Sequence, residues 1–302
     1  AKFAKNGDIV FVSFTTNHEI LIRGASIAGQ SVTQSQAAGQ AGANSKTYTL
    51  SYVVQNGAIL DLSSVTFAFT CSDVAGNTPV SKSDANAAGI NRITYYAPIT
   101  SVTKISSDGV NAGYAKNGDT ITLGVVTNHN VTVQSATSLG KTATIRGMDT
   151  TNPTMIYLLS QNESVLPEGI VAYSYRITDA AGNEYEIAQK DASAASQVVY
   201  DRTAPEMTVT PRFNGFTNQT VIFDASFKDV NLDKNGISIL LNGVEQISSA
   251  NRLAISGTTY DQAITIETDE MYVLTASITD LAGNRATPDF SSTITIDKTA
   301  PT

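Results

Sequence analysis

The chain has 302 residues, a length that holds about two or three domains of ordinary size. Its net charge is −8 with only 15% charged residues, so the polar surface is largely Ser, Thr, Asn and Gln, which suits sheets and loops better than long helices. An acidic chain with no basic run argues against nucleic acid and anionic membranes as partners; one cysteine excludes an intrachain disulfide, no Cys/His cluster offers a zinc site, and no apolar run reaches the ~18 residues that span a bilayer.

The chain opens on Ala1-Lys2-Phe3-Ala4, with no signal peptide, as a mature product or a fragment does. The first unit carries Ala4-Lys5-Asn6-Gly7-Asp8, a predicted strand over 8–14 and then Thr16-Asn17-His18. Residues 28–46 are rich in Gln, Ala, Gly and Ser and read as a long surface loop, the place to look for a binding surface in this unit. A strand over 47–54 ends near the turn signal Asn56-Gly57. Val65, Phe67, Phe69 and Cys71 then form the inward set of an alternating strand, with Cys71 as a small core filler. The strand runs into Asp73-Val74-Ala75-Gly76-Asn77. This reads as a hairpin turn, because Gly supplies positive φ and the Asp accepts from the turn's own N–H groups. Residues 81–89 read as loop, and Tyr95-Tyr96-Ala97-Pro98 closes the unit.

The second unit repeats the order. Ala115-Lys116-Asn117-Gly118-Asp119 leads into predicted strands over 120–126 and 155–159, with Thr127-Asn128-His129 after the first. Val171, Tyr173, Tyr175 and Ile177 alternate before Asp179-Ala180-Ala181-Gly182-Asn183; residues 191–196 are loop, and Asp201-Arg202-Thr203-Ala204-Pro205 ends the unit. The third has predicted strands over 220–227, 237–241 and 263–267 and a turn at Asn242-Gly243. Its inward set is Tyr272, Leu274, Ala276 and Ile278, its hairpin Asp280-Leu281-Ala282-Gly283-Asn284, its end Asp297-Lys298-Thr299-Ala300-Pro301.

These markers divide the chain into 1–97, 98–204 and 205–302. The first copy lacks the segment that precedes Ala115 in the second, and the third stops where another would begin, so we expect a longer parent cut at both ends. About seven short strands per unit of roughly 100 residues predict an all-β protein: three tandem immunoglobulin-like β-sandwich domains in an elongated array.

The Asp-x-Ala-Gly-Asn hairpin followed by Asp-(Arg/Lys)-Thr-Ala-Pro resembles the bacterial immunoglobulin-like repeats of large cell-surface adhesins, across all three units. The resemblance implies a bacterial surface or secreted protein and, in some members of the family, calcium between domains. Copy one departs from it, because Tyr95-Tyr96-Ala97-Pro98 lacks the linker Asp.

Catalytic chemistry finds no footing. His18 and His129, the only histidines, occupy equivalent positions with no nucleophile nearby, and read as loop residues. No phosphate loop, Gly-x-Ser-x-Gly or His-Glu-x-x-His occurs, so no enzyme is expected. The absence of Trp weakens a sugar-stacking reading.

Calcium is the one ion whose ligand chemistry the residues suit. In this fold the B–C and F–G loops lie at the pole where the linker arrives. At the second junction that gathers linker Asp201, B–C residues Asp229, Asn231 and Asp233, and F–G residues Asp280 and Asn284. Four carboxylates at one pole repel unless a cation sits among them. The first junction offers Asn128, His129, Asn130 and one carboxylate, Asp179, so no tight site is expected there; Asp297 would serve a further junction. Asp229-x-Asn231-x-Asp233 is not an EF-hand loop, since Lys234 stands where its Gly and Leu240 where its terminal Glu belong.

The function expected from these residues is a non-catalytic, semi-rigid stalk or spacer at the bacterial cell surface. Neighbouring repeats are its constant partners, Pro-containing linkers limit its bending, and calcium stiffens the second junction. The alternatives are a module that binds a host protein or glycan, and accessory domains of a large extracellular hydrolase.

Overall fold

The computed structural model describes residues 2–32, 34–35, 46–162, 164–189 and 196–301. Apart from one short helix, Ser249–Ala254, regular structure among them is β-strand.

Period-2 alternation builds each sandwich. In Tyr173–Asp179 the side chains of Tyr173, Tyr175 and Ile177 are buried, and in Glu270–Ile278 those of Tyr272, Leu274, Ala276 and Ile278 are. Three separate apolar clusters result, one from residues 4–95, one from 99–200 and one from 209–296. The protein is thus three tandem immunoglobulin-like sandwiches.

The second sandwich shows the plan in full. One sheet runs in the order Ser101–Ser107, Thr120–Thr127, Thr154–Leu158, Thr144–Arg146, and the facing sheet in the order Lys141–Thr142, Val131–Ser138, Tyr173–Asp179, Glu184–Ala188. A short parallel pair, Tyr114–Ala115 with Val199–Tyr200, closes one side. The third sandwich faces Glu206–Thr210, Val221–Lys228 and Thr259–Ile266 against a five-stranded sheet centred on Glu270–Ile278. The first places Ile9–Thr16, Lys46–Val53 and Gln34–Ser35 opposite Gln30–Ser31, Ile20–Ile27, Phe67–Asp73 and Val80–Ser83. Copies one and two share a bulge in the same place, between Ile22 and Gly24 and between Val133 and Ser135, where one extra residue bends the strand.

Several elements differ from the sequence reading. Residues 28–46 are not wholly loop: Ala28 and Gly29 form a tight turn at positive φ into Gln30–Ser31, and Gln34–Ser35 pairs with Lys46–Val53. The remainder of that segment, 33 and 36–45, lies outside the described residues, as do 191–195 of the expected 191–196 loop. Val80–Ser83 pairs with Phe67–Asp73 where loop was expected, its Ser and Lys masking an edge-strand pattern. The helix Ser249–Ala254 starts at Ser248, whose Oγ accepts from the Asn251 N–H; six residues without a buried face leave no periodicity to read. Cys71 is 9% exposed in the first core, as expected of a filler, and burial pushes its thiol pKa up.

Candidate metal centre

The two junctions are built from the same parts, so their differences are chemical. Each F–G turn is fixed by its own Asp. Asp280 Oδ1 accepts from the Asn284 N–H at 2.8 Å and Oδ2 from Asn284 Nδ2 at 2.9 Å. Asp179 does the same with Asn183, at 2.9 and 2.7 Å. The Asn then reaches back to the linker: Asn284 Nδ2 donates to the Asp201 carbonyl, and Asn183 Nδ2 to the carbonyls of Tyr96 and Ala97. Asp201 N–H donates to the Ala115 carbonyl as Tyr96 N–H donates to that of Ala4. Tyr96 therefore occupies the position that Asp201 holds in the next junction.

At the second junction Asp201, Asp229 and Asp280 are buried, and one oxygen of each lies within 4.8 Å of the others. Three strands' ends deliver them: the Val199–Tyr200 pair positions Asp201, Val221–Lys228 ends before Asp229, and Glu270–Ile278 ends before Asp280. Burial pushes Asp229 up to about 6, with further upward pressure from Asp201, Asp280 and Glu168, while the Asn231 N–H pulls it down. Burial also raises Asp280, against its Asn284 bonds and with Asp201 adding to the rise. Hard oxygen donors, buried and mutually repelling, fit a divalent cation of the calcium type.

Of the six residues read from the sequence as ligands, five converge. Asn231 presents Nδ2 to Asp201 Oδ2 at 2.6 Å and its N–H to Asp229 Oδ1 at 2.6 Å, and Asn284 likewise presents nitrogen. Both amides thus stand as hydrogen-bond donors that orient the carboxylates. Asp233 stands apart, half-buried, with Oδ1 accepting from the Asn235 N–H inside its own turn. Its neighbour Gly236 packs against the strand end at Thr279, and the Asp233 carboxylate is not among the three whose oxygens meet.

The first junction holds one feature that sequence reasoning missed. His129 is buried, not a free loop residue: Nε2 lies 3.0 Å from Asp61 of the first sandwich and Nδ1 3.5 Å from Asp179 of the second. The ring thus lies between the two carboxylates, with Asn128 Nδ2 2.8 Å from Nε2. The Tyr96 ring packs on the imidazole at 5.1 Å between centroids, and Phe3 packs edge-on against Tyr96. Asn128 Nδ2 also donates to Asp61. His18, at the matching position of the first sandwich, is exposed.

Each linker is also braced by an acid of the sandwich it leaves. Asp61 accepts from the Ala97 N–H; Glu168 from the Arg202 N–H and Thr203 Oγ1; Asp269 from the Lys298 N–H and Thr299 Oγ1. Burial opposes charge on Glu168, but its bonds from Arg202 and Thr203 and the Arg202 guanidinium outweigh it and hold the carboxyl below its ordinary range. Lys116 Nζ of the second sandwich donates to the Gly283 carbonyl of the third, tying the F–G turn across the junction.

No family model matches the sequence, and no curated protein matches it. Similar solved structures include a fragment of the titin I-band (12% identity, TM-score 0.42, covering 98% of this chain and 95% of that one). They also include the sialic acid binding region of a Streptococcus sanguinis adhesin (12% identity, TM-score 0.23, 98% of this chain and 75% of that one). A third is BcpA, the major pilin subunit of Bacillus cereus (9% identity, TM-score 0.21, 94% of this chain and 95% of that one).

Proposed function

We propose that the chain is a non-catalytic spacer of a bacterial surface or secreted protein, of the adhesin-repeat type, with domains at 1–97, 98–204 and 205–302. The two junctions set its stiffness by different chemistry. At the second, Asp201, Asp229 and Asp280 hold a calcium ion, with Asn231 and Asn284 orienting them. A bound calcium ion supplies the positive charge that three buried carboxylates otherwise lack. The chain's own residues do the rest: Asp201 belongs to the linker, Asp229 and Asp280 to the next domain, so their common occupation ties the two together. At the first, Asp61 and His129 stand in for the missing linker carboxylate, and this junction closes without an ion.

The observation that carries this reading is the convergence of Asp201, Asp229 and Asp280, all under one-tenth exposed, at the seam between two sandwiches. Thermal unfolding in calcium and in chelator tests it, on the wild type and on Asp201→Ala. Calcium should raise one transition of the wild type and leave Asp201→Ala unmoved. A wild-type melt indifferent to calcium sinks the metal reading.

A further inference from the structure

Six Asn-Gly dipeptides recur along the chain, beginning at Asn6, Asn56, Asn117, Asn214, Asn235 and Asn242. The pair carries an intrinsic reactivity. The glycine nitrogen can attack the carbonyl carbon of the asparagine side chain, and the absent Cβ leaves that approach open. Two conditions govern it: the nitrogen must be free of an acceptor, and the side chain must be free to turn toward it. The same dipeptide in six settings therefore shows where the fold permits the reaction.

Five of the six are restrained. The Gly7 N–H donates to the Val54 carbonyl at 2.8 Å, that of Gly118 to Leu159 at 3.1 Å, and that of Gly236 to Asp233 at 2.9 Å. Asn117 is held a second time, its Oδ1 accepting from the Tyr200 hydroxyl at 2.6 Å. At the other two the side chain is fixed. Asn214 Oδ1 accepts from the Thr293 N–H at 2.8 Å. Asn242 Oδ1 accepts from the Val273 N–H at 2.7 Å, while its Nδ2 donates to the Met271 carbonyl.

Asn56-Gly57 meets both conditions. The Ala58 N–H donates to the Gln55 carbonyl at 3.1 Å, which closes a turn with Gly57 at φ +80° in its third position. Asn56 and Gly57 are both exposed. Among the described residues, neither the Asn56 amide nor the Gly57 N–H has a hydrogen-bond partner. The turn stands in the loop between Lys46–Val53 and Phe67–Asp73. That loop also carries Asp61, which accepts from the linker at Ala97 and faces His129.

We propose that the fold singles out Asn56 as a modification site, where the side-chain amide converts without an enzyme to a carboxylate, with water as the only co-reactant. The Gly57 nitrogen bonds to Asn56 Cγ, the Cγ–Nδ2 bond breaks, and Nδ2 leaves as ammonia with the proton that the Gly57 nitrogen gives up. The product is a cyclic imide. Water then opens the ring, its hydroxyl going to one carbonyl carbon and its proton to the ring nitrogen. Opening at Cγ leaves an ordinary aspartate. Opening at the main-chain carbonyl leaves isoaspartate, with the main chain rerouted through Cγ and longer by one carbon. Either product adds a negative charge to the loop whose Asp61 braces the first junction.

The test ages the 302-residue chain in mildly alkaline buffer, folded and in urea. Each Asn-Gly peptide is followed by mass spectrometry after digestion, with electron-driven fragmentation to separate aspartate from isoaspartate. In the folded chain Asn56 should convert first, at least roughly tenfold faster than the other five, the factor set by the one hydrogen bond each of them must break. In urea the six should converge on similar rates. Asn56→Gln should leave the folded chain with no ammonia release over the interval in which the wild type loses one equivalent. Another Asn-Gly pair that keeps pace with Asn56 in the folded chain overturns the proposal. So does the same ranking in urea, which would place the selectivity in the neighbouring sequence and not in the fold.

Discussion

Asp229 is where burial and like charge act together, and it makes the second junction sensitive to pH. A free aspartate titrates near ~3.9; in the fold, burial pushes Asp229 up to about 6, with Asp201 and Asp280 adding to the rise. Between those values the folded chain binds more protons than the unfolded one. This group's contribution to stability is therefore fully present below about pH 4 and is lost as pH rises through about 6. In chelator, Asp229→Asn removes the penalty and should raise the melting temperature of the third sandwich at pH 7, with little effect at pH 4. In calcium the order should reverse, since the variant forfeits a ligand. Melts of both proteins at the two pH values check this, and a variant less stable than wild type at pH 7 in chelator refutes it. His129 is the counterpart at the first junction. Truncating it removes the buried ring that Asp61 and Asp179 both face and on which Tyr96 packs, so His129→Ala should cost about 2 kcal/mol. Unlike loss of Asp201, that cost should be the same with and without calcium, as denaturant titration would read.

At the scale of elements, the B–C loop of the third sandwich depends on one close approach. A Cβ on Gly236 would meet the Thr279 carbonyl oxygen at 2.0 Å, while the Gly236 carbonyl accepts from the Thr279 N–H. Gly236→Ala must push the loop off the strand that carries Asp280, separating it from Asp229. Overpacking of this kind costs about 2 kcal/mol, and the calcium-induced rise in melting temperature should shrink with it. An unaltered calcium response would detach the loop's seating from the site. The strands with strict alternation were legible from sequence, since Val65 to Cys71, Val171 to Ile177 and Tyr272 to Ile278 each face one way. Ile20–Ile27 and Val131–Ser138 were not, because a bulge shifts the alternation midway. At the site, the repeated Asp-x-Ala-Gly-Asn turn, the linker Asp and the place of the B–C loop at the same pole of the fold pointed to Asp280, Asp201 and Asp229, whose oxygens do meet. The pairing of His129 with Asp61 escaped notice because the two come from different sandwiches, 68 positions apart, and no repeat marks Asp61. Asp233 was included on loop membership alone, and its carboxylate accepts from the Asn235 N–H inside its own turn instead of joining the cluster.

Taken whole, the chain holds three cores of unequal depth, and this orders their unfolding. Stability scales with apolar area removed from water, about 25 cal/mol per Å². Among the described residues the first sandwich, with eight buried cluster residues, removes the least. The second has twenty such residues and both edges of Thr120–Thr127 paired; the third has seventeen, and its carboxylate cluster bears on its first turns. Calorimetry should therefore resolve a lowest-temperature transition from the first sandwich. Calcium should leave that transition in place, because Asp61, His129 and Asp179 join it to the second without a metal-binding set. Calcium should instead move the transition of the third sandwich, whose Asp229 and Asp280 gain a neutralising charge. Assigning each transition by hydrogen exchange on Phe69, Tyr175 and Leu274, one buried reporter per core, separates the cases. A single cooperative melt shifted as one by calcium would mean the junctions couple all three sandwiches into one unit, contrary to the independent cores argued here.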